Sequence, residues 1–384
     1  MDIPSCFCVG AAAMFFLTVL RRFKEGNWTF GALVGALVGT LVGTTLCLAA
    51  PPLDCGTALL GCSLVLIGCS LVLMCEPERS VEQLQSRAVL ITGCDSGFGL
   101  ALASRLSEAG LKVFAGVLDE NGPGARRLRE RGSQNLQVLQ LDVTDDSQIE
   151  TARRHVCSQL HNTGLWGLVN NAGVLHCPAD AELHPMAAYR LCVDVNFLSA
   201  VKMSQVFLPL LRRSRGRIVN MSSMAGEVAM PMLAAYGASK AALSVFSRVM
   251  RLELTAWGVT VVTIQPAGFR TNIFGNSVDA ARYRDEIVSA ASSEAREDYG
   301  MAYISSLPGR LSQMSRQSAE DLSPVVHAVR HALLAARPKA LYTPGRMGWF
   351  LPFLQRCCPG RMFDAVIMAL AGHSDCKPAA LHGS

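Results

Sequence analysis

Strand-like and helix-like segments alternate along nearly two hundred residues of this chain, and this alternation constrains the fold more than any other feature. The run RAVLIT at 87–92 is short, continuously apolar and followed by a glycine-rich turn, which is typical of a strand buried on both faces. Helical spacing begins directly after it and ends at Gly110. Further strand-like runs lie at 111–118, 136–143, 165–173, 216–223 and 259–268. The alternation predicts an α/β fold with a doubly wound parallel sheet.

The first 80 residues differ in composition from the rest, and we interpret them as a membrane anchor. Between positions 6 and 75 only five side chains other than cysteine ionise. The stretches 28–50 and 57–75 contain 23 and 19 residues without a charge, enough for helices of roughly 35 and 28 Å. Because only six residues separate them, they predict an N-terminal transmembrane helical hairpin. Residues 6–20 form an interfacial segment or, alternatively, a third span.

Charged residues around the predicted hairpin give its orientation. Basic side chains occur at 21–24 before it and at 79–87 after it, whereas the reversal between the spans carries only Asp54. The positive-inside rule then places the following domain, residues 81–345, in the cytosol. Residues 346–384 form an apolar tail, and the sequence leaves open whether the tail lies on the membrane, covers a substrate pocket or pairs subunits.

Two classes of function lack support in the sequence. The net charge is +5, but no basic run is interleaved with aromatic residues as a nucleic-acid-binding surface would require. Half of the 14 cysteines lie in the apolar anchor, and the others show no paired metal-ligand spacing. We therefore expect reduced structural cysteines, no metal site and no nucleic-acid partner.

The segment TGCDSGFG at 92–99 lies where the first strand ends and the first helix begins. Gly93, Gly97 and Gly99 permit a tight turn and let backbone N–H groups approach a pyrophosphate at the helix N-terminus. An acidic residue follows the second strand, as dinucleotide sites require. The segment predicts a dinucleotide site.

The spacing T-G-x-x-x-G-x-G resembles the short-chain dehydrogenase/reductase family. Further matches follow in the order of that family: LDV at 141–143, NNAG at 170–173, Asn196, a serine pair at 222–223, Tyr236-x-x-x-Lys240, and QPAG leading to Thr271. The resemblance covers about residues 85–345 and implies a Rossmann-type fold and a nicotinamide cofactor. The cofactor-binding positions that it implies are Gly93, Asp95, Ser96, Gly97, Phe98, Gly99, Asp119, Asp142, Val143, Asn171, Ala172, Gly173, Tyr236, Lys240, Pro266 and Thr271.

Charge near the end of the second strand favours NAD over NADP. A ribose hydroxyl suits a carboxylate, whereas a 2′-phosphate needs an arginine or lysine. The chain offers Asp119 and Glu120 directly after the strand, and Asp95 within the glycine turn. The nearest basic residues, Arg126 and Arg127, lie a helical turn or more further on.

Tyr236 and Lys240 are four residues apart on a predicted helix, so their side chains share one face. A free phenol has a pKa near 10 and is a poor base at neutral pH. We expect the ammonium and a positive nicotinamide ring to lower that pKa. A phenol tuned in this way can remove the proton of an alcohol while hydride leaves its carbon.

The resemblance assigns the remaining catalytic and substrate positions. Ser223 would hydrogen-bond the reacting oxygen beside Tyr236, with Ser222 as the second choice for that role. Lys240 would also hold the nicotinamide ribose, and Asn196 would anchor a water that relays protons. Where the family usually has Pro-Gly, this chain has Pro266-Ala267. Alanine is harmless there if φ is negative, and costs on the order of 1 kcal/mol or more if φ is positive.

The segment from Asn272 to about Arg310 matches no strong sheet pattern, and in this family it forms a variable lid over the substrate. The residues that could provide an apolar wall are Phe269, Ile273, Phe274, Tyr299, Met301 and Tyr303.

Several stretches, including 113–129, 164–175 and 342–345, are similar to the hydroxysteroid dehydrogenases of this family. The similarity implies oxidation of the 17β-hydroxyl of estradiol and testosterone with NAD in the endoplasmic reticulum membrane. It implies a small apolar steroid substrate, contact with membrane lipid and a homodimer. The alternatives are oxidation of an 11β-hydroxysteroid such as cortisol or of another lipid alcohol, and a catalytically silent membrane scaffold.

Overall fold

The computed structural model describes residues 87–131, 134–160, 163–176, 178–274, 279–371 and 376–382. The predicted anchor at 1–80, with its spans at 28–50 and 57–75, lies outside the described residues and stays a prediction. The described residues other than 335–339 belong to one compact unit.

Seven parallel strands form one sheet in the order β3-β2-β1-β4-β5-β6-β7. The strands are β1 (Ala88–Ile91), β2 (Lys112–Val117), β3 (Leu136–Gln140), β4 (Gly167–Asn170), β5 (Arg217–Met221), β6 (Thr260–Ile264) and β7 (Leu341–Tyr342). The strand order reverses between β1 and β4, and ligands of doubly wound sheets bind at such a switch point. The predicted doubly wound parallel sheet is confirmed.

Twelve α-helices occur in the described residues. They are α1 (Gly97–Glu108), α2 (Pro123–Arg131), α3 (Asp146–Gln159), α4 (Met186–Val193), α5 (Ser199–Ser214), α6 (Ala234–Glu253), α7 (Asp279–Ala290), α8 (Ser293–Tyr299), α9 (Met301–Gln317), α10 (Ser323–Leu334), α11 (Phe350–Cys357) and α12 (Gly360–Ala371). A π-helical turn, Asp194–Leu198, joins α4 to α5. Helical spacing in the sequence predicts helices at about 97–110, 123–131, 146–161 and 233–256. Helices α1, α2, α3 and α6 lie there, with ends that differ by up to three residues.

Alternate residues of β1 face two separate cores, because successive side chains of a strand point to opposite faces. Val89 and Ile91 pack on the face covered by α1 and α10. Ala88 and Leu90 pack on the other face, together with Phe207 of α5. The run from α4 to α5, residues 186–214, is apolar and long enough to cross a membrane. Its packing against the sheet identifies it as a core helix of this domain.

A third core lies under the lid, which is built from α7, α8 and α9. Tyr283, Ile287, Ile304 and Leu307 pack there against Leu183, which precedes α4. The sequence analysis excluded strands in this segment but did not predict its helices. The reason is local: α8 has only seven residues and α9 contains Pro308, so helical periodicity is interrupted.

Candidate active site

Three glycines shape the turn between β1 and α1. Gly93 and Gly97 have φ of +67° and +54°, a left-handed conformation that other residues adopt at a cost. A Cβ atom on Gly93 would lie 2.8 Å from the Cα of Ala172, and one on Gly99 would lie 2.2 Å from the carbonyl oxygen of Gly93. The turn therefore requires glycine at both positions for steric reasons.

Hydrogen bonds join this turn to the end of β4. The Thr92 Oγ1 accepts from the backbone N–H groups of Asn171 and Ala172, each at 3.0 Å. The Asn171 side-chain amide donates to the carbonyl oxygens of Thr92 at 2.8 Å and Gly93 at 3.0 Å. The NNAG motif thus fixes the glycine turn at the switch point of the sheet.

Two aspartates near the end of β2 have different environments. The Asp95 carboxylate accepts from the backbone N–H of Leu118 at 2.9 and 3.0 Å and from that of Asp119 at 3.2 Å. Asp95 also lines the central cavity. The Asp119 carboxylate instead accepts from the backbone N–H of Asn121 at 2.9 Å and does not line the cavity. Of these two carboxylates, only Asp95 therefore faces the space where a cofactor would bind.

The two serines after β5 have different partners. Ser222 is 4% exposed, and its Oγ donates to the carbonyl oxygen of Lys240 at 2.9 Å and lies 2.7 Å from the Ser244 Oγ. Ser223 lies beside the Tyr236 hydroxyl and favours its ionised form, and both residues line the cavity. The geometry places Ser223, the first choice from sequence, beside the phenol and gives Ser222 a structural role.

Lys240 and Asn196 are buried behind the phenol. The Lys240 Nζ lies 5.7 Å from the centre of the Tyr236 ring and donates to the carbonyl oxygen of Met221 at 2.8 Å. Asn196 is held in the π-helical turn, where its side chain bonds the backbone N–H and carbonyl of Val174 at 2.8 and 3.0 Å. Single π-helical turns within α-helices occur frequently at functional sites. A Cβ on Gly173 would lie 3.2 Å from both side chains, so this glycine leaves room for them.

Burial shifts both titrating groups of this pair. It raises the pKa of Tyr236 to about 12, although the hydrogen bond from Ser223 acts in the opposite direction. Burial also lowers the pKa of Lys240 to about 8. The sequence analysis expected the ammonium to lower the pKa of the phenol. In the chain alone desolvation is the larger effect, because it disfavours the charged form of each group.

Ala267 stands where the family usually has glycine, and the sign of its φ decides whether the alanine is strained. Among the described residues, positive φ outside glycine occurs only at Arg215, Met232 and Met347. Ala267 therefore bears no left-handed strain. Its backbone N–H donates to the carbonyl oxygen of Pro344 at 3.0 Å, which ties the end of β6 to the segment after β7.

A cavity of about 1580 Å³ extends along the carboxyl ends of the strands. Most of the cofactor positions expected from the sequence line it: Gly93, Asp95, Ser96, Gly97, Phe98, Asp142, Val143, Asn171, Ala172, Gly173, Tyr236, Pro266 and Thr271. Gly99, Asp119, Asn196 and Lys240 do not line it; all but Asp119 pack directly behind its wall.

Three of the six residues predicted for the apolar wall of the cavity are confirmed. Phe269, Ile273 and Phe274 line the cavity. Tyr299 and Tyr303 do not; their rings lie together in the lid, 5.6 Å apart, and the Tyr303 hydroxyl donates to Asp180. Met301 is half-exposed. Apolar character alone did not separate wall residues from residues of the lid core.

The sequence analysis missed several lining residues. Leu175 and His176 lie two and three residues after the NNAG motif, and this proximity could have identified them from the sequence. Met230 and Leu233 lie between Ser223 and Tyr236, and Glu286 comes from α7. These residues border the side of the cavity next to the lid.

The residues present fit a nicotinamide dinucleotide. Gly93, Ser96 and Gly97 line the cavity at the N-terminus of α1, where backbone N–H groups can bind a pyrophosphate. Asp142 and Val143 line the cavity beyond β3. Tyr236, Pro266 and Thr271 line it beyond β5 and β6, where the reactive ring would be held.

The lowered pKa of Lys240 predicts a specific pH dependence of stability. Between about pH 8 and the ordinary lysine value of 10.5, the unfolded chain binds a proton at this position that the folded chain does not. The free energy of unfolding of the wild type should therefore rise through this window, relative to Lys240→Met, by about 1.4 kcal/mol per pH unit. Chemical denaturation of both proteins in detergent between pH 7 and 11 measures this difference. Parallel pH profiles for the two proteins would show that the lysine titrates normally.

Comparisons with known proteins agree with this geometry. The sequence profile of the short chain dehydrogenases matches residues 87–282. Mouse estradiol 17-beta-dehydrogenase 2 is 45% identical over 294 residues, which are 77% of each chain. Human 11-beta-hydroxysteroid dehydrogenase type 2 is 42% identical over 296 residues, which are 77% of this chain and 73% of that protein.

The fold is also found among solved structures. A short-chain dehydrogenase from Streptomyces avermitilis superposes with a TM-score of 0.57 at 25% identity, covering 70% of this chain and 92% of that one. Together with the motifs and their placement around one cavity, these matches show that the chain belongs to the short-chain dehydrogenase family and is an oxidoreductase.

Proposed function

We propose that the chain oxidises the 17β-hydroxyl group of steroids such as estradiol and testosterone with NAD. The observation that supports this most directly is the placement of Ser223 beside the Tyr236 phenol at the wall of a cavity whose other end fits a dinucleotide. A bound oxidised nicotinamide would accept the hydride from the alcohol carbon, while the ionised Tyr236 oxygen takes the O–H proton and a ketone remains.

Each catalytic residue has a role that follows from its contacts. Ser223 has a single O–H, which faces the Tyr236 oxygen in the chain alone and would donate to the substrate oxygen once a substrate is bound. Lys240 keeps positive charge behind the ring and is oriented by the Met221 carbonyl. Asn196 holds the backbone of Val174 and, at 2.9 Å, the Ser239 hydroxyl, which keeps the proton path behind the phenol in place.

A steroid substrate is supported by the relatives and by the wall of the cavity. The mouse relative is named an estradiol 17-beta-dehydrogenase and the human relative an 11-beta-hydroxysteroid dehydrogenase. Leu175, Met230, Leu233, Ile273 and Phe274 give the lid side of the cavity an apolar surface. An 11β-hydroxysteroid such as cortisol is the second candidate, since the relative of that name is nearly as similar.

We place the enzyme in the endoplasmic reticulum membrane with its catalytic domain in the cytosol. The C-terminal tail supports contact with lipid: Phe363 and Ile367 of α12 are buried, whereas Met362, Met368 and Leu370 are about 60% exposed. The buried face packs near Met224, which lines the cavity, so the tail also covers the substrate side.

On α6, Val245, Val249 and Leu252 form an exposed apolar stripe that a second copy would cover in a homodimer.

Replacement of Tyr236 tests the proposed reaction. Tyr236→Phe removes the proton acceptor and keeps the ring, so kcat for estradiol oxidation with NAD should fall by about 10²- to 10⁴-fold. Microsomes that express each variant, assayed for estrone formation, give the measurement. Tyr189→Phe is the matched control, because the Tyr189 hydroxyl bonds only the Ala181 carbonyl at 3.4 Å and should leave turnover unchanged.

The serine pair adds a second comparison. Ser223→Ala should lower kcat by a similar order, whereas Ser222→Ala should mainly lower stability, with turnover within about tenfold of wild type. Full activity of Tyr236→Phe would refute the role of Tyr236 as the proton acceptor. A wild-type chain that oxidises no steroid would instead revive the scaffold hypothesis.

Charge reversal beside β2 tests the choice of cofactor. Asp119→Arg places a cation next to Asp95 at the ribose end, so the ratio of kcat/KM for NAD to that for NADP should fall by about tenfold or more. Asp298→Arg, a charge reversal on α8, is the control. An unchanged ratio in Asp119→Arg would show that this end of β2 does not determine cofactor choice.

A further inference from the structure

A fixed carboxylate lies in the apolar part of the cavity and has no role in hydride transfer. Glu286 of α7 lines the cavity together with Ser223 and Tyr236. Its Oε2 lies 2.9 Å from the His176 Nε2, and its Oε1 lies 3.3 Å from the Arg282 Nε. Both oxygens are therefore held in place, one from each side.

His176 has the environment of a positioning residue. It is 8% exposed, and its ring packs edge-on against Tyr283 with centroids 4.9 Å apart. Its Nε2–H donates to Glu286 across 110 positions of sequence, while the buried Nδ1 has no hydrogen-bond partner among the residues that the structure describes. Burying an imidazole with one nitrogen unpaired costs desolvation free energy. The hydrogen bond to Glu286 is the contact that offsets this cost.

Glu286 retains capacity to accept further hydrogen bonds. A carboxylate offers about four acceptor sites on its two oxygens, and His176 and Arg282 occupy two of them. The side chain is 41% exposed, so the cavity gives access to the rest. A carboxylate cannot donate, so a hydroxyl group is a good partner and a carbonyl oxygen is a poor one.

We propose that Glu286, positioned by His176, binds a second hydroxyl group of the substrate and discriminates against a carbonyl at that place. The inference rests on the proposed steroid oxidation and narrows its substrate class. Apolar alcohols with a further hydroxyl group, such as the phenol of estradiol, are favoured over keto-alcohols such as testosterone. The oxidised hydroxyl group remains with Ser223 and Tyr236, and the second one lies against the lid.

The test compares kcat/KM for estradiol and testosterone in the full-length chain. Glu286→Gln supplies an amide that can donate to a carbonyl, so the estradiol-to-testosterone ratio should fall by about tenfold, in part through a better KM for testosterone. His176→Phe keeps the aromatic packing and removes the N–H, so the ratio should fall in the same direction. KM for NAD should stay constant in both variants. Glu294→Gln, an exposed glutamate on α8, is the control and should leave the ratio unchanged.

Each other outcome contradicts the proposal in a recognisable way. An unchanged ratio in Glu286→Gln, or an equal loss for both steroids, would mean that Glu286 only packs the lid. A change of the ratio in Glu294→Gln of the same size would mean that charge on the lid acts at a distance. Failure of the wild type to oxidise either steroid would instead refute the proposed function itself.

Discussion

The burial of one ammonium group behind one phenol is the constraint on which the rest of this site depends. Lys240 is 3% exposed and needs a polar partner, which the carbonyl of Met221 at the end of β5 supplies. Its position also needs space beside β4, which Gly173 leaves, and support from Asn196 in the π-helical turn. The ends of two neighbouring strands and one distorted helix therefore meet at this pair. The carboxyl ends of parallel strands lie at one edge of the sheet, which brings these residues together there.

Small residues make the same edge accessible to a cofactor. The contacts around Gly93 and Gly99 are backbone against backbone, and Asn171 locks that arrangement to β4. Rigidity at one end of the cavity contrasts with the lid at the other end, which has its own core around Ile287 and Leu307. In this arrangement the sheet fixes one end of the cavity, whereas helices with a core of their own border the other end.

Much of this could be predicted from sequence, because strand burial and glycine turns are local signals. The strands, α1, α2, α3 and the residues around the glycine turn followed from patterns of a few residues each. The lid helices did not, since their packing partners, such as Leu183, are distant in sequence. The orientation of the Asp119 carboxylate and the direction of the Tyr236 pKa shift depend on three-dimensional contacts and on desolvation, which no motif encodes.

The central claim is that burial keeps Tyr236 protonated in the chain alone, even with Lys240 behind the ring, until an oxidised nicotinamide adds further positive charge beside it. An ultraviolet difference titration of the wild type against Tyr236→Phe isolates this phenol, with and without NAD⁺. The account predicts a pKa near 12 for the chain alone and a clearly lower pKa when the oxidised cofactor is bound. A phenol that titrates at the same pH in both states would contradict it.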